Sequence, residues 1–296
     1  MKKRIPTYPL SLLARSGAAA LDVFLLSERA EDPEATFGVP YRTTYYGVGM
    51  CTRGRAELSA DLEDYRVESR AVIAMSPQTI KQWRFMSRDF QTQTVFFTRA
   101  FFVHQNALDP DSLPFFEPGG RHVWRLSQAH EQTILQSLSS LKQRYGASHP
   151  YRDEILKALI SALLYELMAL YPTEPSAEDT PGQRGRQLTA EFKKLVTRHC
   201  TVERGVAFYA HKLFVTPRHL SATVRDTTGK TAGEWIEEAV VLEARVLLSD
   251  ATLSVAQVAE ALHFPDQSTF GKFFKKVAGQ SPLSYRQSRK APHPTF

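Results

Sequence analysis

Between residues 20 and 104 apolar and polar positions alternate in short runs. "LDVFLLSER", "YRTTYYGVGMCTRG", "RAELSADLEDYRVES", "RAVIAMSP", "IKQWRFMS" and "FQTQTVFFT" are rich in aromatic and β-branched residues, with Gly, Pro, Asp or Ser between them. Runs of this kind predict successive short strands, and so a barrel or a sandwich, which closes or covers its edges. After Trp124 the period lengthens. Ile134, Leu138, Leu141 and Tyr145 recur at i, i+4, i+7 and i+11, one face of a helix. In "YRDEILKALISALLYELMALY" the stripe of Ile155, Leu156, Leu159, Ile160, Leu163, Leu164, Leu167 and Met168 is wider than one buried seam needs. It has room for two packing partners, its own β domain and a second subunit; a helix simply central to its domain would show the same stripe.

The stretch "PTEPSAEDTPGQRGRQ", residues 172–187, holds three prolines, two glycines and no large apolar residue, the composition of a linker. Everything beyond it reads as helical. Within that part a unit occurs twice, at Val206–Thr231 and again at Val255–Ser281: a small-residue helix, a tight turn, a basic helix and a Gly step.

Composition narrows the function classes. The chain is 43% hydrophobic and 23% charged over 296 residues, ordinary for a globular protein long enough for two cores. No apolar run approaches the length of a membrane span. Pro6, Pro9, Arg15 and Gly17 interrupt the apolar segment that a secretion signal would need. Cys51 and Cys200 fit no metal or redox spacing, which leaves reduced thiols and a cytoplasmic expectation. The net charge of +6 is uneven: residues 187–290 carry fifteen Lys/Arg against ten Asp/Glu, and the rest carries 22 against 21. An anionic partner is therefore expected for the C-terminal third.

The repeated unit supplies the chemistry. In the first copy Thr216 is placed to cap a helix that has Pro217 at its first position, where a missing N–H costs little. Leu220 and Val224 face inward, and Arg218, Ser221, Ala222 and Arg225 spread over the other faces. In the second copy Asp266 caps the helix, and Phe270, Phe273, Phe274 and Val277 make one core stripe. Gln267, Ser268, Lys272, Lys275 and Lys276 stay on the surface. A short helix, a turn and a second helix with a polar, basic outer face is the helix-turn-helix pattern. Its second helix can enter the major groove, where Gln, Arg and Lys read base edges, while lysines farther along suit phosphates.

"TPRHLSATVRDTTGKT" followed by "LSVAQVAEALHFPDQSTFGKFFKKVAGQSPLSYR" resembles the DNA-binding domain of AraC/XylS-type transcription regulators, over residues 188–290. The resemblance implies two helix-turn-helix units joined by a central helix at about 232–249. It puts base-facing positions at Arg218, Ser221 and Ala222 in the first unit and at Gln267, Ser268, Thr269 and Lys272 in the second. Phosphate contacts are assigned to Arg225, Lys275 and Lys276. His263 stands where the family's turn has Gly, Val224 where the first unit has Phe, and Ala222 where a basic residue is frequent. These departures imply that the first unit contacts fewer bases, or holds them more weakly.

The β segment resembles, in order and texture, the cupin-type regulatory domain of the same family. The expected fold is α+β and multidomain: a cupin-like β-barrel (1–124), a helical dimerisation segment (125–171), a linker (172–187) and an all-α double helix-turn-helix domain (188–290). The first histidine of the chain is His104, beyond the strands, so a His-ligated metal inside the barrel is not expected. No nucleophile elbow, P-loop or dinucleotide fingerprint is present, and neither a catalytic residue nor a cofactor is assigned. Tyr41, Tyr45, Tyr46, Trp83, Arg84 and Phe85 are the candidates for lining a small-ligand pocket, though aromatics in strands more often serve the core. The reading is a transcription regulator that binds double-stranded DNA as a homodimer through the helices of 126–171. A small-molecule effector and RNA polymerase are its further expected partners. Two alternatives stay open: a non-metal cupin-type enzyme with a nucleic-acid-binding appendage, and a ligand-independent DNA-binding protein.

Overall fold

The computed structural model describes residues 7–10, 22–26, 38–103, 108–172 and 181–288; His104 lies outside them. The chain forms two compact units, Thr7–Ser176 and one built on Ala177–Phe296. In the first unit the strands are β1 (Thr7–Tyr8), β2 (Val23–Leu26), β3 (Arg42–Thr43), β4 (Tyr46–Arg53) and β5 (Arg55–Ala60). They continue with β6 (Glu63–Glu68), β7 (Ala71–Met75), β8 (Lys81–Met86), β9 (Gln91–Phe97) and β10 (Val123–Arg125). Its helices are α1 (Arg99–Val103), α2 (Gln128–Tyr145) and α3 (Arg152–Ala169).

Three layers result. A five-stranded antiparallel sheet in the order β10-β7-β4-β9-β2 lies between α2 and α3 on one face and the three-stranded sheet β6-β5-β8 on the other. Strand periodicity divides the side chains between the two cores. Tyr46, Val48, Met50, Val72 and Ala74 join Ile134, Leu138, Leu141, Leu156 and Ile160 under the helices. Cys51, Ala71, Ile73 and Met75 instead meet Ala56, Leu58, Ala60 and Val67 between the sheets. Gly47 and Gly49 keep that middle layer tight: an added Cβ at Gly49 would sit 2.5 Å from the Gln93 carbonyl oxygen. The β5–β6 hairpin turns through Asp61 and Leu62, both at positive φ (51° and 83°), as a two-residue loop of the I′ kind requires.

One expectation is altered by these contacts. Among the described residues the strands form open sheets, with no hydrogen-bonded closure into a barrel. Helices α2 and α3 share one continuous core with β4 and β7, so the β domain is one packing partner of the α3 stripe. The width of the α3 stripe is thereby partly explained. Leu156, Ile160, Leu163, Leu164 and Leu167 are fully buried, Ile155 and Leu159 are half-buried, and Met168 is 43% exposed.

The second unit is all-helical: α4 (Pro181–His199), α5 (Val206–Lys212), α6 (Pro217–Thr228), α7 (Ala232–Ser249), α8 (Val255–Ala261), α9 (Gln267–Ala278) and α10 (Pro282–Ser288). Helix α4 begins inside the stretch expected to be linker, with Pro181 in the first turn, where its missing N–H is tolerated. The central helix α7 is nearly all core, with Trp235, Ile236, Val240, Val241, Ala244, Leu247 and Leu248 buried. It opens on a capping box in which Thr231 and Glu234 satisfy each other's backbone N–H groups.

Candidate nucleic-acid interface

Helices α6 and α9 are built to the same plan. Each is 12 residues long, is capped at its start by an oxygen side chain, and ends on a left-handed glycine, Gly229 (φ 78°) or Gly279 (φ 77°). Thr216 accepts from the His219 amide at 3.2 Å, and Asp266 accepts from the Thr269 amide at 2.7 Å. The caps and glycines set the two helices in register, so Leu220 and Val224 correspond to Phe270 and Phe274, all four fully buried. Opposite these anchors runs an outward stripe. In α6 it is Arg218, Ala222 and Arg225; in α9 it is Ser268, Lys272 and Lys275, all exposed. Each stripe holds two cations and one small residue, but in different order.

Gln267 is also exposed, at the first position of α9, and Ser221 is half-buried at the flank of α6. The Thr269 hydroxyl donates to Asp266 Oδ2 at 2.9 Å, so the cap engages that hydroxyl. These two Thr269 donors hold the Asp266 carboxyl below the ordinary carboxylate range, first through the amide and then through the hydroxyl. Lys276 lies off the stripe and donates to both Glu237 carboxylate oxygens on α7, at 2.8 and 3.1 Å. Phe273, grouped with the core on spacing alone, is half-buried and packs on Phe264 with centroids 5.2 Å apart. Beyond Gly279, Pro282 and Tyr285 of α10 close the base of the second unit.

One residue that the motif does not mark joins the two helix-turn-helix copies within the C-terminal unit. Arg204, in the connection between α4 and α5, donates to the carbonyl oxygen of Leu262 at the end of α8 and to that of Thr201 at 3.3 Å. Its guanidinium lies 3.7 Å from the centroid of Phe264, in the turn of the second unit. Desolvation lowers the Arg204 pKa from its ordinary value. The nearest sequence signal was an arginine just before α5, which no spacing rule ties to a turn 58 residues later.

The six residues proposed to line a ligand pocket do not converge. Tyr46 faces the helix layer, stacks on Phe97 at 5.3 Å and donates to Asp111. Tyr41 and Tyr45 flank the buried Lys81, whose Nζ lies 5.3 and 5.4 Å from their ring centroids. Trp83 packs on Phe90 between the sheets, Arg84 pairs with Asp64 at 2.8 Å, and Phe85 is 40% exposed beside Arg55. The cause is strand parity, shifted by a bulge at Arg84, where the β5–β8 register skips one residue. Arg84 does line an open depression of about 240 Å³ with Glu57, Leu58, Asp64, Tyr65 and Arg66. Burial pushes the Cys51 thiol up to about 11, which leaves it unreactive at neutral pH. Among the described residues no group of three His, Cys, Asp or Glu side chains could hold a metal ion, and no helix is long and apolar enough to cross a membrane.

Residues 209–288 match a protein-family model described as a helix-turn-helix domain. Over 81 residues the chain is 32% identical to the arabinose operon regulatory protein of Escherichia coli, an alignment covering 27% of this chain and 28% of that one. The chain thus spans less than a third of that relative's length. The MmsAB operon regulatory protein of Pseudomonas aeruginosa is 25% identical over 232 residues, 76% of this chain and 68% of that protein. Among solved structures, ToxT from Vibrio cholerae aligns over 90% of this chain and 94% of its own at 16% identity, with a TM-score of 0.39, too low to establish a common overall fold.

Proposed function

We propose, from the premise that this chain belongs to the AraC/XylS family through its C-terminal domain, that it is a sequence-specific DNA-binding transcription regulator. The observation that carries the proposal is the pair of matched helices α6 and α9. Each is anchored by two fully buried side chains and presents one small residue and two cations outward. In this reading Arg218, Ser221, Ala222, Gln267, Ser268, Thr269 and Lys272 meet base edges, and Arg225 and Lys275 meet phosphates. Lys276 is the weaker phosphate candidate, since Glu237 already holds its ammonium. The relatives described above are regulators by name, which favours this reading over a cupin-type enzyme.

Selection of bound duplexes from random-sequence DNA by the full chain supplies the operator for testing. Lys272→Ala is expected to weaken binding to the selected site about tenfold and to leave scrambled DNA nearly unaffected. Lys275→Ala is expected to weaken both duplexes alike and to reduce the slope of log K against log salt by about 1. Equal losses on both duplexes for Lys272→Ala remove it from the base readers, and a selection that enriches no sequence rejects the regulator.

The N-terminal unit is, in this proposal, a cupin-like sensor that alters how the reading helices are presented. Its effector must bind the two states unequally. Operator titrations with candidate small molecules test that role, which fails if every molecule that binds leaves the operator Kd unchanged. Dimerisation is assigned to α3. Ala158, Ala162, Tyr165 and Ala169 form an exposed stripe at i, i+4, i+7 and i+11, flanked by Met168. Tyr165→Glu is expected to shift the chain from dimer to monomer in sedimentation equilibrium at micromolar concentration. A wild-type chain that is monomeric under the same conditions excludes the interface.

A further inference from the structure

Helix α5 ends in a turn whose backbone normally calls for glycine. The Val215 amide donates to the Ala210 carbonyl at 3.0 Å, the 6→1 bond of a Schellman motif, and Phe214 between them has φ +56°. The second unit repeats the geometry: Phe264 donates to Ala259 at 2.9 Å, and His263 has φ +56°. A side chain with a Cβ is strained in this left-handed conformation, and glycine is not. Phe214 is nonetheless a phenylalanine, and it is 94% exposed. An isolated exposed apolar side chain is ordinary. A strained one that packs on almost nothing within the chain has neither a backbone nor a core reason to be aromatic.

The surroundings indicate what the ring meets. From Gly205 to Arg225 the chain contains no Asp or Glu, while His211, Lys212, Arg218, His219 and Arg225 are all exposed. The turn leads within two residues to Thr216, the cap of α6, and then to Arg218 at the head of the outward stripe. A helix entering the major groove brings the turn before it against the strand that borders the groove. That strand offers phosphates to the cations and the C–H face of deoxyribose to an apolar ring.

We infer that Phe214 is a DNA-contacting residue whose ring packs on the deoxyribose face of the strand bordering the groove read by α6. The inference rests on the DNA-binding reading above and adds an apolar, uncharged contact to it. Two variants of the full chain separate the ring from the backbone strain. Phe214→Ala keeps the strain and removes the ring, and Phe214→Gly removes both. Both are expected to raise Kd about fivefold, on the selected operator and on scrambled duplex alike. The salt slope is expected to stay unchanged, because no charge is lost. Phe214→Gly is expected to melt at the wild-type temperature or up to about 3 °C above it, so its weaker binding cannot come from unfolding.

An unchanged Kd in both variants, with Arg218→Ala still weakening binding, overturns this inference and leaves the DNA-binding reading standing. Loss confined to the selected operator overturns the deoxyribose assignment in favour of a base edge. Failure of the wild-type chain to bind any duplex defeats the reading on which the inference rests.

Discussion

Phe270→Ala is expected to destabilise the C-terminal unit by about 3–5 kcal/mol, the usual cost of deleting a fully buried aromatic ring. Phe270 has no exposed surface and lies in a chain of rings: Phe264 at 5.3 Å, Phe274 at 5.8 Å and, beyond Phe274, Tyr285 at 5.8 Å. That chain ties the turn, α9 and α10 together. The cavity has rigid neighbours on three elements and little means of collapse. A domain of this size is stable by only about 5–15 kcal/mol, so the variant is left near its unfolding threshold. Helix α9 then loses its fixed presentation, and binding to the selected operator falls with it. Urea unfolding monitored by circular dichroism measures the first effect and operator titration the second. Phe273→Ala is the internal comparison: its ring is half-buried, and about 1–2 kcal/mol is expected. A loss below about 1 kcal/mol for Phe270→Ala would refute the anchoring role.

Arg204→Ala is expected to cost about 1.5–3 kcal/mol, the range for hydrogen bonds made by a charged donor, and to uncouple the two reading helices. Its guanidinium is a planar group that donates to Leu262 and Thr201 while lying over Phe264. Removing it frees the connection before α5 from the turn before α9. With the link intact, binding by one unit holds the other at a high effective concentration over the adjoining groove; a loosened link lowers that advantage. The expected result is a loss of roughly tenfold or more on the full operator and a smaller loss on either half-site. Arg204→Lys is not expected to restore the ratio, since an ammonium lacks the planar fork that donates and stacks at once. A variant that melts earlier yet keeps the full-to-half-site ratio would leave Arg204 with a purely structural role.

Much of the C-terminal unit was legible because its signals are local. Thr216 and Asp266 cap the helices they precede, and the central helix spans the 232–249 that the family resemblance implies. Capping, turn geometry and helical periodicity are decided within about four residues. The N-terminal unit was legible at the level of strands, and α2 follows its apolar spacing. Which face each strand presents was less accessible. Tyr45 and Tyr46 fall on different sides of the sheet, and the skipped residue at Arg84 turns Phe85 outward, so a pocket drawn from neighbouring aromatics dispersed over three environments.

By itself the sequence determined the two-unit plan, the capped helices α6 and α9, their buried anchors and their basic outer stripes. Only the tertiary structure decided that Lys276 is held by Glu237, 39 residues away, and that Arg204 reaches Leu262, 58 residues away. It also decided that two aligned stripes carry equal charge in different order, and that Phe214 stands strained and uncovered beside one of them. The reason is physical. A cap or an amphipathic stripe is written into neighbouring positions, whereas an ion pair, a stacked guanidinium or an uncovered ring depends on which distant segments the packed core brings alongside.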